Sequence, residues 1–409
     1  MKGLYAYLIL VSSLLLSSCE KWGVDKDEYP DQYIYLSAGV AEGGKTKAPY
    51  IQTSPTPDYH LNATVWASTI ENVYINNINK GWDGTSDVDA NGDGVVSKNE
   101  RAVSRHTHAF FQSSEPQLLG QAIYPPPIVT EGGKKTAPPV YFVAMYPRSG
   151  DFKDDAGNGL NWTTPSEGEF AGRTASYTFD GRQDVMFASR VSGQYDIEHE
   201  GAGGSSIVTE VPDLTFRHLL TLFTVKIEAF RETGVSLYDI QSAWGKVLEL
   251  RIQQWNPSGW REDTNTLTVD LSNSNGNVTY VTYADPVKEK YTTFYNTGLD
   301  TKFPAESGGF TLIDTPQEVA YTMCAPKVAV GGGVHEYELT IVTKREGKDE
   351  KETVIPIDLR DDSGEFIGSP AGRQFEISLK FKKSRAVAVV ASIIDEWKTG
   401  GLGNADITD

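Results

Sequence analysis

Along most of the chain apolar and polar residues alternate one for one, the period of a strand with one face in a core and the other in water. Phe375, Ile377, Leu379 and Phe381 alternate with Gln374, Glu376, Ser378, Lys380 and Lys382. Leu248, Leu250 and Ile252 alternate with Glu249 and Arg251, and Leu267, Val269 and Leu271 with Thr268 and Asp270. Tyr337, Leu339 and Ile341 do so against Glu338 and Thr340. Nearer the N-terminus Leu61, Ala63, Val65 and Ala67 alternate with Asn62, Thr64, Trp66 and Ser68. Clusters of Gly, Pro, Asn and Asp separate these runs, as turns require. Only residues 97–112 and 236–244 predict helices. The pattern predicts an all-β chain of two β-sandwich domains in tandem with few short helices. A polar, glycine-rich stretch at 198–213 marks the boundary, giving domains over 48–212 and 213–409. The Pro-rich residues 124–139 read as a long loop of the first.

The first residues depart from that pattern. Lys2 precedes the apolar run 4–16, which is too short to span a bilayer comfortably, and Leu16-Ser17-Ser18-Cys19 closes it. This resembles the processing site of bacterial lipoproteins, and the resemblance implies removal of residues 1–18 and a lipid on the Cys19 thiol. The tether that follows carries Glu20, Asp25, Asp27 and Glu28 with Lys21 and Lys26. It resembles the signals that send lipoproteins to the outer face of the outer membrane. After Cys19 no run is apolar for long enough to make a transmembrane helix. The other cysteine is Cys324, so lipidation of Cys19 leaves no intramolecular disulfide, and stability must come from the core.

The net charge of -18 excludes nucleic acid as a partner, because nothing offers phosphates a basic patch. It favours cations such as calcium. Residues 89–100 match the EF-hand calcium loop at each diagnostic place. Asp89, Asn91 and Asp93 stand at positions one, three and five, Gly94 makes the sharp turn, and the Val95 carbonyl follows at seven. Ser97 coordinates at nine and Glu100 closes the loop with both carboxylate oxygens. Calcium takes about six to eight oxygens, and this spacing wraps them around one point. The exit side can start a helix at 97–105, whereas 77–88 has no helical period, so the expectation is a lone loop of modest affinity. His106 and His108 lie two apart, on different faces of the predicted helix, which disfavours a shared zinc.

Several segments together resemble the fimbrillin family, the lipoprotein-derived subunits of type V pili. They are VYFVAMY at 140–146, Asp184-Val185-Met186-Phe187-Ala188, the run 214–227 with its Phe216-x-His218 pair, and ASIIDEWKTG at 391–400. The resemblance spans most of the chain and is thinnest at 76–139, which reads as an insertion carrying the calcium loop. It implies transthyretin-like sandwiches and a precursor that keeps its own N-terminal strand in place until a protease removes it. A neighbour's strand then replaces it. Here that strand would be near 32–37 (QYIYLS), within a removable segment 19–47, and the cut near 43–48. Well-studied members are cut after arginine, whereas this segment offers Lys45 and Lys47. The donated strand would come from 385–409. His218 and Trp397 read as packed structural residues.

The functional expectation is a structural or accessory fimbrial subunit, a tip subunit included. Its partners would be other subunits by strand exchange, surface ligands of host or bacteria, and the outer membrane through the lipid. A surface lipoprotein that binds glycans without polymerising is the alternative, since 8 Trp and 20 Tyr could build a sugar platform. No spacing of carboxylates marks out a glycosidase pair among the 55 acidic residues, and the chain reads as non-enzymatic.

Overall fold

The computed structural model describes residues 37–40, 60–68, 104–112, 119–120, 129–131, 134–136, 140–153, 157–164, 173–193, 195–196, 207–208, 213–255, 261–271, 276–284, 291–297, 301–304, 308–327, 337–357, 359 and 368–394. It is all-β, with one helix among the described residues. The first sheet has seven strands in the order Ser37–Val40, Asp213–His218, Met186–Gly193, Val140–Tyr146, His60–Ser68, Ser104–Gln112 and Leu119–Gly120. The second has five: Tyr295–Asn296, Gln317–Cys324, Thr221–Ala229, Gln374–Phe381 and Ala386–Ile394. The third runs Asn277–Ala284, Arg261–Asp270, Lys246–Trp255, Tyr337–Lys344 and Glu350–Ile357. Thr174–Thr178 adds to Arg261–Asp270, and Thr292–Thr293 and Phe310–Thr311 add to Lys246–Trp255.

The second and third sheets face each other as a sandwich. Phe223, Val225, Ile227, Phe375, Ile377, Leu379 and Phe381 from one meet Leu250, Ile252, Leu339 and Ile341 from the other, all fully buried or nearly so. Burial of each such side chain stabilises the fold by about 1.5–3 kcal/mol. The ring of Phe223 stands 4.9 Å from Tyr337 and 5.6 Å from Phe375. The helix Leu237–Trp244 closes one end of this core with Ile240 and Trp244, and Trp244 Nε1 donates to Lys382 O at 2.7 Å. Ser236 caps it, and Asp239 returns the bond to the Ser236 backbone.

A second core lies where the first sheet meets the other two. Trp66, Val143, Met145, Val185 and Phe187 pack with Trp162, Ala175, Tyr177, Leu267, Val269, Tyr295 and Tyr321. Thr174–Thr178, which precedes the glycine-rich stretch, belongs to the third sheet, while Asp213–His218, which follows it, belongs to the first. Both halves of the chain therefore build this core.

Strand periodicity agrees with the structure over Gln374–Phe381, where every second residue is buried, and over Leu267, Val269 and Leu271. Three expectations are corrected. Residues 104–112 form a strand, not the C-terminal part of a helix. Ser104–Gln112 pairs with His60–Ser68 over its whole length, and a complete ladder outweighs weak local helix propensity. His106 and His108 accordingly stand in strand register opposite Trp66 and Thr64. In Lys246–Trp255, Val247 is buried and Leu248 only half-buried, because a bulge between Val247 and Glu249 shifts the phase. His60–Ser68 lies inside the first sheet, and Ala63, Thr64, Val65 and Trp66 are all buried, so both its faces are covered where alternation suggested one.

Candidate strand-exchange edge

Ser37–Val40 is an edge strand of the first sheet. It runs parallel to its neighbour, pairing Ser37, Ala38, Gly39 and Val40 with Asp213, Leu214, Thr215 and Phe216. In that neighbour Leu214 and Phe216 are fully buried and Thr215 is exposed, the alternation of a strand with one face on a core. On its other side the strand pairs antiparallel with Met186–Gly193, Phe216 opposite Ala188, Arg217 opposite Phe187 and His218 opposite Met186. Two segments singled out in the sequence, Phe216-x-His218 and 184–188, thus meet as neighbouring strands.

At their junction His218 Nδ1 lies 2.7 Å from Asp184 Oδ2, with the two side chains 5% and 2% exposed. Asp184 is set there by the loop before it. Arg182 grips Asp180 through Nε at 2.8 Å, Gly181 O accepts from Met323 N at 2.9 Å, and the hydroxyl of Tyr321 donates to Arg182 O at 3.3 Å. Gly181 has φ +95°, and a Cβ there would come within 2.5 Å of Thr322 Oγ1, so the loop approaches the second sheet through a glycine.

The connector after His218 is held on both sides. Leu219 N donates to Val185 O at 2.8 Å, and Gly372 N donates to Leu220 O at 2.9 Å. The hydroxyl of Tyr280 donates to Leu219 O at 2.5 Å, and Arg217 Nη2 donates to Gly276 O. Thr221 Oγ1 donates to Ser369 O at 2.8 Å. The third sheet and the turn before Gln374–Phe381 therefore both grip the two residues that carry the chain from the first sheet to the second.

Of the residues that the sequence suggests as sites, Cys19, Lys45, Lys47, Asp89, Asn91, Asp93, Val95, Ser97 and Glu100 lie outside the described residues, as does Trp397. Ser37–Val40 begins on the last residue of the alternating segment 32–37. His218 is buried and paired. Its partner Asp184 is a charged residue that opens the apolar run 184–188. Arg217 and Tyr280 carry no local signal, because their contacts join distant parts of the chain. The burial that surrounds Tyr280 pushes its hydroxyl well above the ordinary tyrosine range.

No family model and no curated protein matches the chain. Among solved structures it is similar to a candidate cell adhesion protein of Bacteroides uniformis, with 13% identity and a TM-score of 0.45 over 89% of this chain and 98% of that one. A candidate cell adhesion protein of Bacteroides ovatus is similar at 12% identity and a TM-score of 0.40, covering 90% of this chain and 98% of that one. A fimbrial protein of Bacteroides vulgatus is similar at 12% identity and a TM-score of 0.39, covering 90% of this chain and 99% of that one.

Proposed function

We propose that the protein is a structural or accessory subunit of cell-surface fimbriae, assembling by β-strand exchange and contributing to adhesion. The observation that carries this reading is the strand Ser37–Val40, a parallel edge strand of only 4 residues lying just before Lys45 and Lys47. A cut after either lysine detaches that strand, together with Cys19 and its lipid, from everything that follows. The backbone groups of 213–216 then form an open edge, and such an edge pairs readily with a strand from another chain. Ala386–Ile394, an edge strand of the second sheet, lies within the C-terminal segment 385–409 that would supply it. In the same reading the loop 89–100 holds one calcium ion and stiffens the insertion that carries it.

N-terminal sequencing of the protein taken from the cell surface, together with an unboiled gel, tests this. New ends after Lys45 or Lys47 and a ladder of linked subunits are expected. Chains that begin uniformly at lipidated Cys19, with no ladder, would overturn the proposal.

A further inference from the structure

The two ladders on Asp213–His218 barely overlap. The edge strand pairs with residues 213–216, whereas among the described residues the pairing to Met186–Gly193 covers 216–218. Among the described residues Phe216 alone is paired on both sides. Once Ser37–Val40 leaves, Asp213, Leu214 and Thr215 keep no strand partner in register among the described residues, and the strand is held from its His218 end. We propose that the buried Asp184–His218 pair is a clamp that fixes the register of this strand so that it can receive a replacement. The inference rests on the strand-exchange reading above.

Side-chain period in a strand is two residues, so a slip by one would turn Phe216 out of the core and carry His218 to the opposite face. An apolar contact tolerates small sliding, but a close polar contact between two buried side chains does not. Slippage would leave the Asp184 carboxylate in a nearly water-free site without its partner, a heavily penalised state. A single buried polar contact that specifies register is the best-attested use of such groups. The backbone bond from Leu219 N to Val185 O lies just beyond the pair and anchors the connector whether or not the pair is intact. Asp184 and His218 are thus positioning residues, and they contribute no surface to the incoming strand.

The test uses the full-length chain, with hydrogen exchange read segment by segment. In Asp184→Ala and His218→Phe, amides of 213–218 should exchange about tenfold faster while those of Gln374–Phe381 keep their wild-type rates. Asp184→Asn, which keeps the size of the side chain and an oxygen facing Nδ1, should keep most of the protection. The same variants expressed on cells should give weaker subunit ladders than wild type, with Asp184→Asn near wild type. Unchanged exchange at 213–218 overturns the clamp, as does acceleration spread evenly over both cores, the signature of general destabilisation. If the wild type itself forms no ladder, strand exchange fails, whereas a wild-type ladder matched by Asp184→Ala sinks only the clamp.

Discussion

His218 Nδ1 and Asp184 Oδ2 approach to 2.7 Å at the end of the strand that carries the N-terminal edge. Both side chains are almost wholly shielded from water, so removing either leaves the other buried without its partner. Asp184→Ala and His218→Ala should each lower the local protection of 213–218 by about tenfold, and the double variant by clearly less than the product of the two. Segment-resolved hydrogen exchange on the four proteins of the cycle measures this, and strictly additive losses would contradict a direct contact.

Gly276 has φ +57°, and a Cβ at this position would collide with the ring of Phe187 in the first sheet. Gly276→Ala should therefore cost about 2 kcal/mol, from backbone strain and overpacking together. Gly234 has φ +80° with open space around it, so its alanine variant meets strain without collision and should lose less. Thermal melts of the two variants compare the terms.

The Ser236 hydroxyl, donating to Asp239, holds that carboxyl at about 2, below its ordinary 3.8, with the Ser236 backbone N–H and Lys383 helping. A depressed carboxylate stabilises the fold above its unfolded value and stops doing so as pH falls through its folded value. The cap of the helix Leu237–Trp244 should therefore persist at pH 5 and weaken between about pH 4 and 2. Ser236→Ala should cost about 1 kcal/mol. Amide exchange in the first helical turn, followed on acidification, should lose this acid step in Asp239→Asn.

Burial pushes the Cys324 thiol up to about 12, with a hydrogen bond from Thr292 opposing it in part. Burial likewise holds the hydroxyls of Tyr177 and Tyr280 well above their usual range. Cys324 of the native protein at pH 8 should resist thiol reagents and react only on unfolding. All three groups favour the protonated folded state, so stability should decline as pH rises above about 9, where unfolded thiols and then phenols ionise. Reagent labelling and an alkaline denaturation curve check both statements.

If residues 89–100 bind calcium as their spacing suggests, calorimetry should show one site with Kd of roughly 0.1–1 mM, abolished in Asp93→Ala. Heat indistinguishable between the two proteins would remove the ion from the functional reading.

Much of the sandwich was legible because burial on one face writes itself into the sequence with period two. Gln374–Phe381 shows this without exception. Legibility failed where a long-range partner decided the outcome. Nothing local in 104–112 announces the ladder to His60–Ser68, and the bulge at Val247 arises from pairing with Tyr337–Lys344. Within the run 214–227 the chain breaks at Leu219 and Leu220 and places the Phe216-x-His218 pair and the apolar stretch after it in different sheets, which no local pattern announces. Asp184 and His218 were each visible in their own motifs. Their contact was not, because only the antiparallel register of Met186–Gly193 and Asp213–His218 brings them together.

The break at Leu219 and Leu220 also has a mechanical meaning. Each strand flanking it has a parallel neighbour, Ser37–Val40 on one side and Gln374–Phe381 on the other. A pull on whatever strand occupies the first edge loads its ladder in shear, every hydrogen bond at once. The tension then passes through two buried leucines into the middle of the second sheet, without crossing a free loop. Force applied at that edge is thus handed from the first sheet to the second along the backbone itself.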